Sequence, residues 1–205
     1  MEGLFITLEG PEGCGKTTQA LKLKEYFEEQ GKEVILTKEP GDTLVGKEIR
    51  NLLLYPPEGA NLSGFTEAYL YAADRAQHFY EVILPALNLG KIVICDRYID
   101  SNIAYQHYGR GESLELIQML NKPFTDLLQP DVTFLLLIDP AEGLKRKFVQ
   151  DEVSRFEKEH LGFHKKVYDG YIELSKQNRR FLPVDASQSP EAVFSDIKTL
   201  FEQQF

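Results

Sequence analysis

A three-layer α/β fold, a parallel sheet with helices on both faces, is predicted by three features of the 205-residue sequence. Five short apolar runs alternate with helix-length amphipathic stretches. A glycine-rich turn joins the first run to the first of those stretches, and the third run ends on an Asp-Arg pair. A parallel crossover needs a segment of a dozen or more residues to return the chain, and the amphipathic stretches supply it.

In chain order, residues 4–8 read as the first buried strand, and a helix follows over 16–30, closed by a turn at Gly31. Residues 34–37 form the second strand, followed by helices over 45–54 and 66–89. Pro85 ends or bends the longer of these, because proline lacks a backbone donor and clashes with the preceding turn. Gly90 turns the chain into the third strand at 92–95. A helix over 112–128 precedes the fourth strand, 132–138, and one over 163–176 precedes the short fifth strand, 181–184. The last helix covers 190–205. The length suits one domain over 1–205, and neither repeats nor low-complexity tracts interrupt it.

A formal net charge of −9 argues against a nucleic-acid partner, since counterion release needs a broad basic surface. The start of the chain lacks a basic segment followed by an apolar one, and the apolar run at 134–138 is too short to span a bilayer. A cytoplasmic protein without a membrane partner is the expectation. Cys14 and Cys95 match no metal spacing and read as unpaired thiols in a reducing compartment. No serine nucleophile triad or histidine cluster stands out.

The strongest motif is Gly10-Pro11-Glu12-Gly13-Cys14-Gly15-Lys16-Thr17, a complete phosphate-binding loop between a strand and a helix, with Thr18 following. Glycines let backbone N–H groups close around phosphate oxygens, and the helix N-terminus adds free donors and positive potential. Lys16 is expected on the β- and γ-phosphates of ATP and Thr17 on Mg²⁺. Asp96 ends a neighbouring strand, placed to hold Mg²⁺ directly or through water, or else to act as a strand-end cap. Arg97 adds a bidentate clamp suited to a second, acceptor phosphate. A GTPase would carry Asp-x-x-Gly here, whereas the chain reads Asp96-Arg97-Tyr98-Ile99. Asn121-Lys122-Pro123-Phe124 is a poor match to the guanine-reading Asn-Lys-x-Asp.

Taken together, these residues resemble the thymidylate kinase family, the bacterial kind in particular, and the similarity runs essentially end to end. It is carried by Glu9 to Thr18, Lys38-Glu39-Pro40-Gly41, Tyr71-Ala72-Ala73-Asp74-Arg75, Asp96-Arg97-Tyr98, Ala104-Tyr105-Gln106, Gly109-Arg110-Gly111 and Ser154-Arg155-Phe156-Glu157. The resemblance implies a P-loop NTP hydrolase fold with sheet order 2-3-1-4-5, an acceptor-binding segment near 39–89, a mobile lid near 148–158 and a homodimer. It implies transfer of the ATP γ-phosphate to dTMP, giving dTDP for dTTP synthesis. By position, Tyr71 would stack on thymine in place of the family's usual Phe, and Arg75 would hydrogen-bond the base. Arg50 and Arg97 would meet the acceptor phosphate, and Glu39, Asn102 and Gln106 would lie on the acceptor side. Tyr105 would favour deoxyribose, and Glu12 would sit near the acceptor sugar and phosphates.

The chain departs from the family pattern at Lys38, Asp42 and His107, and most in its lid. Many relatives carry several lid arginines, whereas Arg155 carries that role nearly alone here, with Arg146 and Lys147 at the end of the preceding helix as alternatives. The acceptor oxygen belongs to a phosphate whose second pKa is about 6, so no general base is required. Catalysis reduces to aligning two polyanions with Lys16, Mg²⁺, Arg97 and a lid cation, under a lid that excludes water. The competing readings are a kinase for another nucleoside monophosphate or a deoxynucleoside, and a P-loop NTPase without an acceptor.

Overall fold

In a computed structural model, residues 3–148 and 154–205 are described. Five strands, β1 (Leu4–Glu9), β2 (Val34–Lys38), β3 (Ile92–Asp96), β4 (Val132–Leu137) and β5 (Phe181–Asp185), form one sheet in the order β2-β3-β1-β4-β5. Every pairing is parallel. This is the expected P-loop arrangement. Because β1 lies between β3 and β4, the order reverses at its C-terminal end and opens a crevice there.

Alternate residues of each strand feed two cores, as the two-residue period of a pleated strand requires. Ile6 and Leu8 of β1, Ile94 of β3, and Phe134 and Leu136 of β4 pack beneath α1 (Lys16–Glu29) and α9 (Pro190–Gln204) through Leu23, Phe27, Val193 and Ile197. On the opposite face, Phe5, Val93 and Cys95 meet Phe79, Ile83 and Leu87, while Leu135 meets Phe163, Val167 and Tyr171 of α8 (Leu161–Gln177).

The expected helix over 66–89 is one rod with a local change of winding. It runs as α3 (Gly64–His78), a π-helical turn (Phe79–Ile83) and α4 (Leu84–Asn88). The wider turn sits directly before Pro85, with Leu84 N–H reaching back to Phe79 O, so it absorbs the proline that was expected to end or bend the helix. A second irregular rod, α5 (Ile99–Asn102) continuing as a π-helix (Ile103–Gly109), was not among the expected helices. Its winding departs from the 3.6-residue period by which a helix is read from sequence. The remaining helices are α2 (Leu44–Leu54), α6 (Leu114–Thr125) and α7 (Pro140–Phe148).

Side chains cap most helix starts: Thr43 accepts from Gly46 N–H, Ser63 from Thr66 N–H, Ser113 from Leu116 N–H and Ser189 from Ala192 N–H. By contrast, α1 begins after Gly15, in the left-handed region at φ 88°, with no side-chain cap. Its first N–H groups are thereby left for a ligand.

Phe134 is fully buried in β4. Phe134→Ala is expected to lower unfolding free energy by roughly 3–5 kcal/mol through lost transfer energy and a residual cavity. Urea denaturation of both proteins checks this.

Candidate active site

At the C-terminal end of β1 the loop 10–17 turns back over the sheet. Gly13 (φ 70°) passes so close to α7 that a Cβ there would lie 1.9 Å from Gly143 O, which excludes any side chain. Lys16 is buried, and its ammonium donates to Gly10 O (3.1 Å) and Pro11 O (2.9 Å), so it is held within the loop it would share with phosphate. Thr17 donates its hydroxyl to Asp96 Oδ2 at 2.6 Å. The register that pairs Leu8 with Asp96 puts that carboxylate level with the loop.

Arg97 adopts a left-handed backbone conformation at φ 72°, which is costly for a residue with a Cβ. Its N–H donates to Leu8 O, and its carbonyl accepts from Cys95 Sγ. The conformation turns the guanidinium beneath the loop. Nη1 donates to Gly10 O (3.1 Å), Ser101 Oγ (3.2 Å) and Tyr171 OH (3.2 Å), and Nη2 donates to Glu12 Oε1 (2.8 Å) and Tyr105 OH (3.1 Å). Tyr105 OH also donates to Glu12 Oε1. Burial alone would raise the Glu12 pKa, but Arg97 and Lys16 outweigh it and hold the carboxyl at about 2.

Behind this cluster, Glu9 accepts from Tyr98 N–H, Ser101 Oγ and Tyr171 OH. Burial and the nearby Asp100 raise its pKa to about 7 despite those donors. Glu9 appears in the sequence motif, but its role as the support of Arg97's hydroxyl partners was not expected. Ser101 and Tyr171 come from elements that sequence periodicity does not bring together.

Across the crevice, α3 and α6 build the other wall. Arg75 is 1% exposed and pairs with Glu39 Oε2 at 2.9 Å. Burial disfavours its charge, but Glu39 reverses that effect and raises the pKa. Glu39 in turn meets His78 Nδ1 at 2.9 Å. Arg75 Nη1 donates to Asn121 Oδ1 (2.5 Å), and from there Asn121 bonds Asn102, Asn102 bonds Gln106, and Gln106 bonds Glu67. Neither Asn121 nor Glu67 was marked in the sequence; Asn121 had been weighed only in a poor guanine-reading motif.

A cleft of about 500 Å³ separates the two walls. It is bordered by Glu12, Gly13, Gly15, Lys16, Thr17 and Thr18 on the loop side, and by Asp96 and Arg97 at its floor. Glu39, Arg50, Tyr71, Arg75, Asn102, Tyr105 and Gln106 also border it. Arg50 donates to Pro40 O at 2.8 Å. Gly10, Pro11 and Cys14 support the loop from behind, with Cys14 and Gly10 buried.

The lid expected at 148–158 lies partly outside the described residues, which omit 149–153. Arg155 turns from the phosphate loop toward the acceptor wall: it donates to Leu53 O, pairs with Glu67 Oε1 at 2.6 Å and covers the Phe156 ring. Arg146 and Lys147, at the end of α7, border the cleft instead. Arg146 also donates to Ala186 O and Ser187 O.

Thr17 and Asp96 converge on one point with hard oxygen donors, which suits Mg²⁺. Among the described residues no group of three or more His, Cys, Asp or Glu side chains forms a self-sufficient metal site. An ion that keeps waters and takes phosphate oxygens does not need one.

The stabilisation from the Glu12–Arg97 pair follows the lowered pKa. It is fully present above the ordinary value of 4.5 and is lost as pH falls through about 2. Glu12→Gln is expected to melt at lower temperature than the parent at pH 7, with the deficit shrinking as pH falls below about 4.5; paired melting curves across pH check it.

Known proteins share this arrangement. The model of the thymidylate kinase family matches residues 8–197. A thymidylate kinase of Halothermothrix orenii is 46% identical over 201 residues, covering 96% of this chain and 95% of the relative. One from Exiguobacterium sibiricum is 43% identical over 198 residues, covering 96% and 93%. The crystal structure of thymidylate kinase from Ehrlichia chaffeensis superposes with a TM-score of 0.79 at 35% identity, covering 97% of this chain and 98% of that one.

Proposed function

The chain belongs to the thymidylate kinase family, and from that premise we propose how its residues carry the ATP γ-phosphate to dTMP. The activity is that of an ATP-dependent dTMP kinase, producing dTDP. One observation supports the residue assignments above all: a phosphate loop and a buried, charged Arg75 face each other across one cleft. A P-loop NTPase without an acceptor has no use for the second wall.

ATP lies with its β- and γ-phosphates on the loop 10–18, held by backbone N–H groups, the start of α1 and Lys16. Thr17 and Asp96 would hold Mg²⁺, which would neutralise charge on the phosphates. dTMP enters from the side of residues 39–89. Tyr71 offers a ring face to thymine, and Arg75 donates to a base carbonyl. Asn102 and Gln106 face the same base. Arg50 and Arg97 order the acceptor phosphate end, Glu39 holds Arg75 on the acceptor side, and Tyr105 closes on the sugar, where its hydroxyl is already engaged by Glu12.

The acceptor phosphate attacks as an anion, so the protein moves no proton. Arg97 shifts donors from Glu12 and Gly10 O toward the acceptor phosphate, and Lys16 shifts from loop carbonyls toward the migrating group. Both cations are thus held in place before substrate arrives, which limits reorganisation during transfer. Arg155 delivers its charge when phosphate displaces Glu67 as its partner.

The same reading places the enzyme in the cytoplasm, without nucleic-acid or membrane partners, as its net charge of −9 suggests. No described helix is long and apolar enough to cross a membrane. It acts as a homodimer through the face of α3 and the turn that continues it, where Phe65 and Tyr69 lie exposed with tilted rings 4.8 Å apart between centroids and Tyr80 is 58% exposed.

dTMP is expected to exceed dCMP in kcat/KM by at least about tenfold, because an amino group in place of the carbonyl leaves the buried Arg75 facing a donor. A coupled ADP-release assay measures both, and equal values would remove the thymine assignment. Arg155→Ala is expected to reduce kcat by about a hundredfold with a smaller change in the KM of dTMP, since its charge is needed most in the transition state. Turnover within a few-fold of the parent would transfer the role to Lys147 or Arg146.

A further inference from the structure

We propose that Asn121, which lies outside the cleft, is a specificity-determining positioning residue: it sets the donor–acceptor sense of the amides that face the acceptor base. The inference rests on the base-side roles of Arg75, Asn102 and Gln106 proposed above.

Arg75, Asn121, Asn102, Gln106 and Glu67 form an unbroken file of hydrogen bonds, each member buried to within 2% of full exclusion. Every bond points the same way. Arg75 Nη1 donates to Asn121 Oδ1 (2.5 Å), Asn121 Nδ2 to Asn102 Oδ1 (3.0 Å), Asn102 Nδ2 to Gln106 Oε1 (2.9 Å) and Gln106 Nε2 to Glu67 Oε2 (3.0 Å).

The two ends dictate that sense. A guanidinium can only donate, so the amide next to it must present its oxygen. Glu67, clamped by Arg110 at 3.2 Å and Arg155 at 2.6 Å, accepts, so the amide next to it must present nitrogen. Between a donor-only and an acceptor-only end, three amides have one consistent orientation, and flipping any of them sets oxygen against oxygen or nitrogen against nitrogen. Asn121 also donates to Ile117 O on its own helix at 2.8 Å, which uses its second N–H and pins it a second time.

The consequence reaches the substrate. Asn102 and Gln106 border the cleft and each spends one donor and one acceptor on the file. What they offer a base is therefore decided by partners the base never touches. Arg75 is held alike: Nη2 is on Glu39, Nη1 is on Asn121, and Nε is buried without a protein partner. A pyrimidine that exchanges a carbonyl for an amino group cannot be accommodated by flipping an amide, because the flip breaks a bond elsewhere in the file. Asn121 supplies the link between the cation that meets the base and the amides beside it.

Asn121→Asp separates the parts of this role. The carboxylate still accepts from Arg75 and keeps the shape, but it can no longer donate to Asn102 Oδ1. The expected result is a preference for dTMP over dCMP reduced about tenfold or more, carried by a higher KM for dTMP. The KM of ATP should stay within about threefold, since the loop is untouched. A purely structural loss would move both KM values and the melting temperature without changing the ratio. An unchanged dTMP-to-dCMP ratio in a folded variant overturns the proposal. A parent enzyme that does not discriminate between the two acceptors overturns instead the base-side reading beneath it. Should the variant not fold, the parent decides: in ¹⁵N spectra the Asn121 side-chain amide should exchange slowly with solvent and shift on adding dTMP but not ATP. A rapidly exchanging amide, or one that dTMP leaves in place, overturns the proposal.

Discussion

Everything at the loop end of the cleft is organised around one guanidinium. Arg97 gathers Gly10 of the phosphate loop, Glu12 at its tip, Ser101 of α5, Tyr105 of the following π-helix and Tyr171 of α8. These groups come from three separate stretches of chain, the loop, the rod 99–109 and α8, and Arg97 bonds them all. The left-handed backbone at Arg97 is the cost of that placement, because an ordinary strand exit would aim the side chain elsewhere. Glu9 completes the arrangement from beneath by holding Ser101 and Tyr171. The guanidinium is thus held largely out of water, with its counter-charge in place.

The carboxylates on the two sides of the cleft carry opposite pH signatures. Glu12, lowered to about 2, stabilises the fold at neutral pH and releases that contribution only in acid. Glu9 and Asp74, both raised to about 7 chiefly by burial, contribute in the reverse sense. Their stabilisation is greatest below their ordinary carboxylate values and is lost as pH rises through about 7. Glu12 is thereby kept ionised beside Arg97 and Lys16, while Glu9 and Asp74 sit near the balance between charge and burial.

What could be read in the sequence was whatever depends on local pattern. The five strands follow from short apolar runs, and the loop 10–17 from glycine spacing, because a strand, a tight turn and a helix start each impose a rule on neighbouring residues. The strand order and the base-side residues came through family likeness, not through periodicity. Asn121, Glu67, Ser101 and Tyr171 escaped notice for one physical reason: a polar side chain in a helix reads as solvent-facing until its partner is known, and each has partners 19 to 162 residues away. The irregular rod 99–109 was missed for another, since π-helical winding erases the period by which helices are recognised.

Arg155 shows how far sequence position can mislead about present geometry. Its place in the lid suggests a phosphate-facing cation, yet in this structure Glu67 and Leu53 O hold it on the acceptor wall. Glu67 is the same carboxylate that terminates the amide file from Arg75. Withdrawing Arg155 toward phosphate removes one of the two guanidiniums that keep Glu67 an acceptor and leaves Arg110 to hold it. Arg155 and the amide file therefore share a counter-ion, and on the roles proposed above a move of Arg155 toward phosphate would be felt at the base side through that one side chain.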